Sequence, residues 1–260
     1  MLTFLLVFII GLCVGSFLNV VICRLPEKRS IVKNRSSCPH CKEIIKPYDL
    51  LPLVSFCVLK GQCRQCKKKI SWQYPIIELV TGLVFTAVAY YYQTIGGIDN
   101  PLLVRDLVLL SALIVVFATD LKYMLIFDAV TVPMMVFAFA ANIFLLGNST
   151  NYLSLSLNYL AAGIIGAGFF FLQHYFSKGK WIGAGDIRLG LLMGLILGWP
   201  NIFVALFLAY IVGAICSLIL IVVSKKKMDS QIPFGVFLSL ATAFAMFWGK
   251  AVINWYLSLF

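Results

Sequence analysis

Charged side chains are scarce in this sequence, and their scarcity excludes an ordinary soluble domain. Asp, Glu, Lys and Arg make up 12% of the 260 residues, whereas a soluble domain has about a quarter. Hydrophobic residues make up 62%. We therefore expect an all-α polytopic membrane protein, because helices satisfy their backbone hydrogen bonds within the lipid.

Acidic residues are also few, 10 against 21 Lys and Arg, which gives a net charge of +11. In a soluble protein such an excess would suggest nucleic-acid binding. In a membrane protein, basic residues retained on the cytoplasmic face explain it. We therefore expect no nucleic-acid partner.

Long apolar runs predict about eight transmembrane helices. The N-terminal run has no basic leading region and no small-residue cleavage site, so we expect a retained first span. The sixth run is short and begins at a glycine-rich break. The predicted spans are 2–23, 75–93, 102–119, 129–147, 153–176, 186–199, 201–223 and 233–257.

The segment 24–74 is the only sizeable polar part, with 12 Lys and Arg against three acidic residues. The positive-inside rule places this insert in the cytoplasm. The sequence thus predicts three parts: a first transmembrane helix at 1–23, the insert at 24–74 and a seven-helix membrane domain at 75–260.

Charges in the other connections agree with this orientation. Eight spans place three further connections in the cytoplasm, and these carry Lys122, Lys178, Lys180 and the run 225–227. The connections on the opposite side carry no Lys or Arg. We expect a multi-pass membrane protein with its functional face in the cytoplasm.

Four of the eight cysteines form two pairs in the insert, Cys38 with Cys41 and Cys63 with Cys66. Two residues separate the members of each pair, which is the spacing of a tetrahedral zinc site with four thiolates. We expect structural zinc, because so small a segment lacks a sufficient apolar core. The alternatives are thiols without metal, or His40 in place of one ligand.

Two aspartates stand at the edges of apolar runs, where an ionisable residue indicates a functional site. Asp120 follows the uncharged run 107–119, and Asp186 ends Gly183-Ala-Gly-Asp186 before another run. Close carboxylates cannot both ionise cheaply, so we expect a catalytic pair that shares one proton. The ionised one would draw a proton from water, and the other would donate to the scissile carbonyl.

Glycines beside Asp186 have a steric meaning. Without side chains, Gly183 and Gly185 would let an extended substrate backbone approach the carboxylate. The alternative for each aspartate is an interfacial ion pair with Lys122 or Arg188.

Other polar residues have more ordinary interpretations. Asp128 is a rival partner of Asp120, although we expect it to cap the following helix. Glu78 is a further intramembrane acid that would bind a substrate amine or brace the aspartates, and a hydrogen bond to a neighbouring helix is the alternative. We expect Asp106 to be an interface charge and His174 a boundary residue.

The chain resembles the bacterial type IV prepilin peptidases, the GxGD aspartic peptidases, in an ordered set of motifs. Three departures are Phe127 and Val236, where the family often has proline, and Arg188, where it usually has lysine. The motifs are Gly15-Ser-Phe-Leu-Asn19, Arg24-Leu-Pro26, both cysteine pairs, Trp72-Gln-Tyr74-Pro75 with Glu78, Asp120-Leu121, Gly183-Ala-Gly-Asp186 and Ile232-Pro-Phe-Gly235.

This resemblance implies a location in the bacterial inner membrane and two activities. One is cleavage of the basic leader of prepilins and pilin-like proteins, with Asp120 and Asp186 as the catalytic pair. The other is methylation of the new N-terminal residue with S-adenosylmethionine, an activity tied to the region that matches the insert. The sequence has no Rossmann-type glycine fingerprint for the methyl donor, so the donor-binding residues are unknown.

Other functions remain as alternatives to the bifunctional peptidase. A proton-coupled membrane transporter would use the same carboxylates as a relay. An assembly subunit would need the cysteines and not the aspartates, and a third alternative is a peptidase without methylation. For the basic insert we expect contact with anionic lipid headgroups.

Overall fold

The computed structural model describes residues 2–33, 35–97, 100–147, 151–224 and 232–259. Within these ranges the regular structure is helical, apart from two isolated β-bridges, so the predicted all-α class is confirmed. The basic run 225–227 lies outside the described residues. The helices are α1 (Leu2–Arg24), α2 (Val54–Val58), α3 (Gln73–Ile95), α4 (Pro101–Tyr123), α5 (Asp128–Leu146), α6 (Tyr152–Phe176), α7 (Ala184–Leu197), α8 (Asn201–Ser224) and α9 (Phe234–Leu257).

Seven of the described helices are long and apolar enough to cross a membrane, which makes this a multi-pass membrane protein. They are α1, α3, α4, α5, α6, α8 and α9. The other predicted span forms α7, which has only 14 residues. At 1.5 Å per residue it is about 21 Å long, short of the roughly 30 Å of the hydrocarbon layer.

The chain divides into two compact units, Met1–Ser111 and Ala112–Phe260. The first contains α1, the insert, α3 and the start of α4. The second contains the rest of α4 and α5 to α9. The three-part division expected from the sequence stays a prediction.

In the first unit, α1 packs closely against α3 because glycines face the contact. A Cβ atom at Gly11 would lie 2.7 Å from the Cα of Gly82. One at Gly15 would lie 2.8 Å from the Cα of Glu78. Membrane helices associate through such close van der Waals contact, since lipid leaves little hydrophobic drive between them.

In the second unit, α7 contacts α5, α6, α8 and α9, and most of its side chains are buried. Its backbone lies directly against the backbone of α6 at two glycines. A Cβ at Gly190 would lie 2.6 Å from the carbonyl oxygen of Gly166, and one at Gly194 would lie 2.2 Å from that of Ala162. The helix that carries Asp186 is therefore held firmly in place.

A buried charge cluster joins α3 to the start of α4. Asp106 is only 2% exposed, so the prediction of an ordinary interface charge is wrong. The Arg105 Nε atom donates to its Oδ1 at 2.8 Å, and the Tyr92 hydroxyl donates to its Oδ2 at 2.6 Å. Burial of this carboxylate depends on these donors, because an unpaired buried charge is very costly.

Replacing Tyr92 with Phe tests this cluster. The variant keeps the ring and removes the hydroxyl donor, so Asp106 loses one of its hydrogen bonds. A hydrogen bond to a charged group is worth about 1.5–3 kcal/mol, and we expect the thermal unfolding temperature in detergent to fall. The control is Tyr90→Phe, since Tyr90 is 64% exposed. Equal unfolding temperatures for the two variants would contradict the assignment.

Candidate active site and metal centre

Asp120 lies in the last turn of α4, and four residues separate the end of α4 from the start of α5. The amide of Met124, a residue with a positive φ of 54°, donates to the Asp120 carbonyl at 2.8 Å and closes the helix. The Asp120 side chain is 5% exposed. The Val236 amide donates to its Oδ2 at 3.1 Å.

Asp186 is the third residue of α7 and is 9% exposed. The amide of Gly183, which precedes the helix, donates to its Oδ2 at 3.1 Å. This contact is one half of a capping box, in which the third helical residue reaches back to the N-cap. The local sequence Gly-Ala-Gly-Asp thus fixes the carboxylate by its own backbone.

The two carboxylates lie at helix ends that meet at Ile126, and both are held in the same way. Asp186 accepts an amide at the N-terminus of α7, and Asp120 accepts one from the third residue of α9. A helix N-terminus carries partial positive charge and amides without intrahelical partners, so it favours a carboxylate. In the described part of the chain neither aspartate forms an ion pair.

Ile126, in the α4–α5 link, fits between these two helix N-termini. A Cβ at Gly185 would lie 3.0 Å from the Cβ of Ile126, and one at Gly235 would lie 3.1 Å from its Cδ1. A Cβ at Gly235 would also lie 2.9 Å from Oδ2 of Asp120. Glycine at 185 and 235 therefore gives room for both the isoleucine and the carboxylate.

Gly183 differs from Gly185 in its surroundings. It is exposed, and a Cβ there would meet only Asp186 and the Gly185 amide, at 3.6 Å or more. Gly185 instead packs against Ile126. The open space at Gly183 suits an approaching substrate backbone, and the role of both glycines stays a prediction.

Asp128 does not cap α5 with its side chain, so that prediction is wrong. It is the first residue of the helix, and Phe127 occupies the N-cap position. Its carboxylate forms an ion pair with Arg188 of α7. Both side chains are exposed, so the pair contributes little stability.

The four predicted cysteine ligands converge in the insert. Their sulfur atoms all lie within 4.8 Å of one another, and those of Cys38 and Cys66 are 3.8 Å apart. Thiolates at about 2.3 Å from one zinc ion would be about 3.8 Å apart, whereas a disulfide needs about 2.05 Å. His40 is exposed and is not part of the cluster.

The two cysteine pairs have the same backbone design. In each, the carbonyl of the first cysteine accepts the amide of a lysine four residues later, Lys42 in one and Lys67 in the other, at 2.9 and 3.0 Å. Both lysines have positive φ angles. An antiparallel bridge closes each turn, Ser37 with Ile44 and Gln62 with Lys69.

Hydrogen bonds lower the pKa of two groups in the insert, the Cys38 thiol and the Asp49 carboxyl. Burial alone would raise the pKa of the Cys38 thiol, but backbone hydrogen bonds from Cys41 and His40 bring it down to about 7. Arg64 hydrogen-bonds Asp49, at 2.9 Å from Nε to Oδ2, and lowers the pKa of Asp49. This contact joins the second cysteine turn to the rest of the insert.

Glu78 is buried in α3, and it anchors the insert. Its Oε2 accepts the amide of Leu53 at 2.9 Å, and the Ser16 side chain is a second hydrogen-bond partner. Leu53 has a positive φ of 56°, and the Val54 amide reaches back to the Pro52 carbonyl at 2.6 Å. Such a tight turn at a bulky residue is strained and needs support from its surroundings. Substrate binding by Glu78 stays a prediction.

Comparison with known proteins identifies the family. The model of the bacterial peptidase A24 N-terminal domain matches residues 9–92, and that of the type IV leader peptidase family matches residues 107–218. The prepilin leader peptidase/N-methyltransferase of Bacillus subtilis (strain 168) is 32% identical over 98% of both chains. The chain belongs to the type IV leader peptidase family.

Other relatives in the family carry the same name and also match over most of their length. The Legionella pneumophila protein is 32% identical over 98% of this chain and 94% of its own. The Pseudomonas aeruginosa protein is 29% identical over 96% of this chain and 91% of its own. No solved structure matches this chain significantly.

Some contacts at the site are not apparent from residue types. The amides of Gly183 and Val236 hold the aspartates, and a backbone donor leaves no chemical mark in a sequence. For the Val236 amide, the sequence signal is Pro233-Phe-Gly235, because proline commonly precedes or begins a helix and so marks a helix N-terminus there.

The contact between Glu78 and Leu53 gives a prediction for the insert. In Glu78→Leu the Leu53 amide loses its acceptor, and we expect amide hydrogen exchange at 50–58 to become roughly tenfold faster or more, as for the loss of a hydrogen bond to a charged group. Glu78→Gln keeps an acceptor oxygen and should exchange nearly as slowly as the unchanged protein. The measurement is exchange mass spectrometry in nanodiscs.

Glu43→Leu is the matched control, because it removes an exposed acid from the same insert. Slow exchange at 50–58 in Glu78→Leu would show that the carboxylate does not support this turn.

Proposed function

We propose that this protein is a membrane aspartic endopeptidase that removes the basic leader of type IV prepilins and pilin-like proteins and then methylates the new N-terminal residue. One observation carries the peptidase proposal. Asp120 and Asp186 are buried, are each fixed by a helix N-terminal amide, and lie at two helix ends that meet at Ile126. The names of the relatives, prepilin leader peptidase/N-methyltransferase, support both activities.

The chemistry follows from two carboxylates that share one proton. The ionised aspartate takes a proton from water while the water oxygen bonds to the scissile carbonyl carbon. The protonated aspartate gives its proton to the carbonyl oxygen. The carbon–nitrogen bond then breaks as the nitrogen receives a proton, and the pair returns to its starting state. No covalent enzyme intermediate is needed.

The membrane setting suits a prepilin. Its basic leader lies in the cytoplasm and its apolar segment lies in the lipid, so its scissile bond is at the inner interface. We place Asp120 and Asp186 at this cytoplasmic face because basic residues concentrate in the predicted inner connections. The exposed backbone at Gly183 is the proposed approach for the substrate chain.

The cysteine cluster is the proposed structural zinc site. The donor set and the sulfur spacing fit tetrahedral zinc, so Cys38, Cys41, Cys63 and Cys66 would hold the ion. Bound there, zinc would link the two cysteine turns and stabilise the insert.

The insert is also the proposed location of methylation, on family resemblance. S-adenosylmethionine would supply the methyl group, and no residue of this chain is assigned to it. The 12 Lys and Arg of 24–74 are the proposed contact with anionic lipid headgroups.

The central test is replacement of each aspartate in cells that co-express a candidate prepilin. We expect Asp120→Asn and Asp186→Asn each to lower cleavage roughly 10²–10⁴-fold, because each removes a proton-transfer group. Asp128→Asn is the matched control and should change cleavage little, since Asp128 only pairs with exposed Arg188. Mass analysis of the pilin N-terminus measures cutting and methylation together.

Normal processing by either Asn variant, with the protein present in the membrane, would reject the catalytic pair. Proton-driven flux in vesicles without any peptide product would instead support the transporter alternative.

Metal content tests the cysteine site. We expect about one zinc ion per purified chain, as for a closed four-thiolate site. Cys38→Ser should lose the metal and expose the insert to proteolysis, whereas Cys57→Ser should keep it, because Cys57 lies outside the cluster. Elemental analysis gives the metal content. Zinc retained at full occupancy by both variants would contradict this assignment.

A further inference from the structure

We infer that His174 is a positioning residue that orients Asp186 through one peptide group, the one that joins Ile182 to Gly183. This inference rests on the proposed function, because it assigns a supporting role for the reaction of Asp186. The group has two hydrogen bonds, one on each side, and they form a relay from the imidazole ring to the carboxylate.

The first hydrogen bond joins His174 to the loop before α7. The Nδ1 atom of His174 lies 2.7 Å from the carbonyl oxygen of Ile182. A carbonyl oxygen only accepts hydrogen bonds, so Nδ1 must carry a proton and donate it. The contact therefore also fixes the tautomer whenever the ring is neutral.

The second hydrogen bond leaves the same peptide group. The Gly183 amide donates to Oδ2 of Asp186 at 3.1 Å. A peptide group is planar and rigid, so fixing its carbonyl oxygen also fixes the direction of its N–H. A donor at the oxygen polarises the group and strengthens the N–H as a donor to the carboxylate.

The loop is folded around His174, which lies in the last turn of α6. The Gly179 amide donates to the His174 carbonyl at 2.9 Å. Gly179 has a positive φ of 75°, and a Cβ there would lie 3.2 Å from the Cε1 atom of the ring. Ile182 is buried, so its carbonyl needs a hydrogen-bond donor within the protein.

The relay explains why a donor, and not only a ring, is needed at position 174. A residue that merely ends a membrane helix could be any polar or aromatic side chain. Only a side chain with a donor at the place of Nδ1 can satisfy the Ile182 carbonyl. Asparagine has such a donor in its amide nitrogen, and leucine fills similar space without one.

The test compares His174→Asn with His174→Leu in the full-length protein in nanodiscs, with a prepilin as substrate. We expect His174→Leu to lower kcat roughly fivefold to tenfold, the scale of one lost hydrogen bond. The KM should change less than kcat, because the relay ends at Asp186, which acts in the chemical step. His174→Asn should retain kcat within about twofold, because the asparagine amide nitrogen can still donate to the Ile182 carbonyl.

Ser177→Ala is the matched control. The Ser177 hydroxyl accepts the Trp181 amide at 3.3 Å and donates to the backbone carbonyl of His174 at 3.3 Å, but within the described residues it makes no hydrogen bond to the His174 ring or to the peptide group between 182 and 183. This variant weakens the loop and leaves the relay in place, so its kcat should stay near that of the unchanged protein.

Amide hydrogen exchange of the 178–186 segment gives a readout that does not depend on activity. We expect faster exchange in His174→Leu and near-normal exchange in His174→Asn. Equal kcat and exchange for His174→Leu and the unchanged protein would overturn the relay, as would an Asn variant as impaired as the Leu variant. Absence of prepilin cleavage by the unchanged protein would reject the proposed function, and the exchange comparison would still decide the relay.

Discussion

The fold around the candidate active site depends on backbone amides that hold two buried carboxylates. Asp120 and Asp186 are both buried acids, and ionising both would be very costly without compensation. The chain supplies that compensation from the first turns of α9 and α7, where amides have no partner inside the helix. One arrangement therefore satisfies two needs, since the helix ends gain acceptors and the carboxylates gain donors. Basic side chains are not needed, and in the described ranges neither aspartate pairs with one.

Helix packing in the second unit places one of these helix ends. The contact of α7 with α6 is so close at Gly166 and Gly190 that a single added carbon would collide with backbone. Because α7 is too short to span the membrane by itself, its position depends on its contacts with the surrounding helices. The glycines at 185 and 235 have a different role, because they leave room for Ile126 between the two helix N-termini. Small residues thus serve both the general packing and the local geometry of the carboxylates.

Much of the fold could be predicted, because hydrophobic runs and cysteine spacing are strong signals. The long helices follow the apolar runs, and the two cysteine pairs meet as their spacing indicated. The failures concern partners that are distant in sequence. Asp128 finds Arg188, 60 residues away, and Asp106 is buried with Tyr92, which composition does not show. Backbone donors such as those of Gly183 and Val236 escape prediction for another reason, because every residue except proline carries the same amide.

The matching cysteine turns have a consequence for how the insert responds to its surroundings. Each turn is a hairpin of only a few residues, and an isolated hairpin is marginal in water. An ion held by both turns would close a loop of about 20 residues and remove much of the freedom of the unbound chain. The insert would then gain or lose its order as one piece with metal supply, while the membrane helices, built on van der Waals contact, would remain folded. Such a protein could have two parts with separate sensitivities, one to metal availability and one to the lipid.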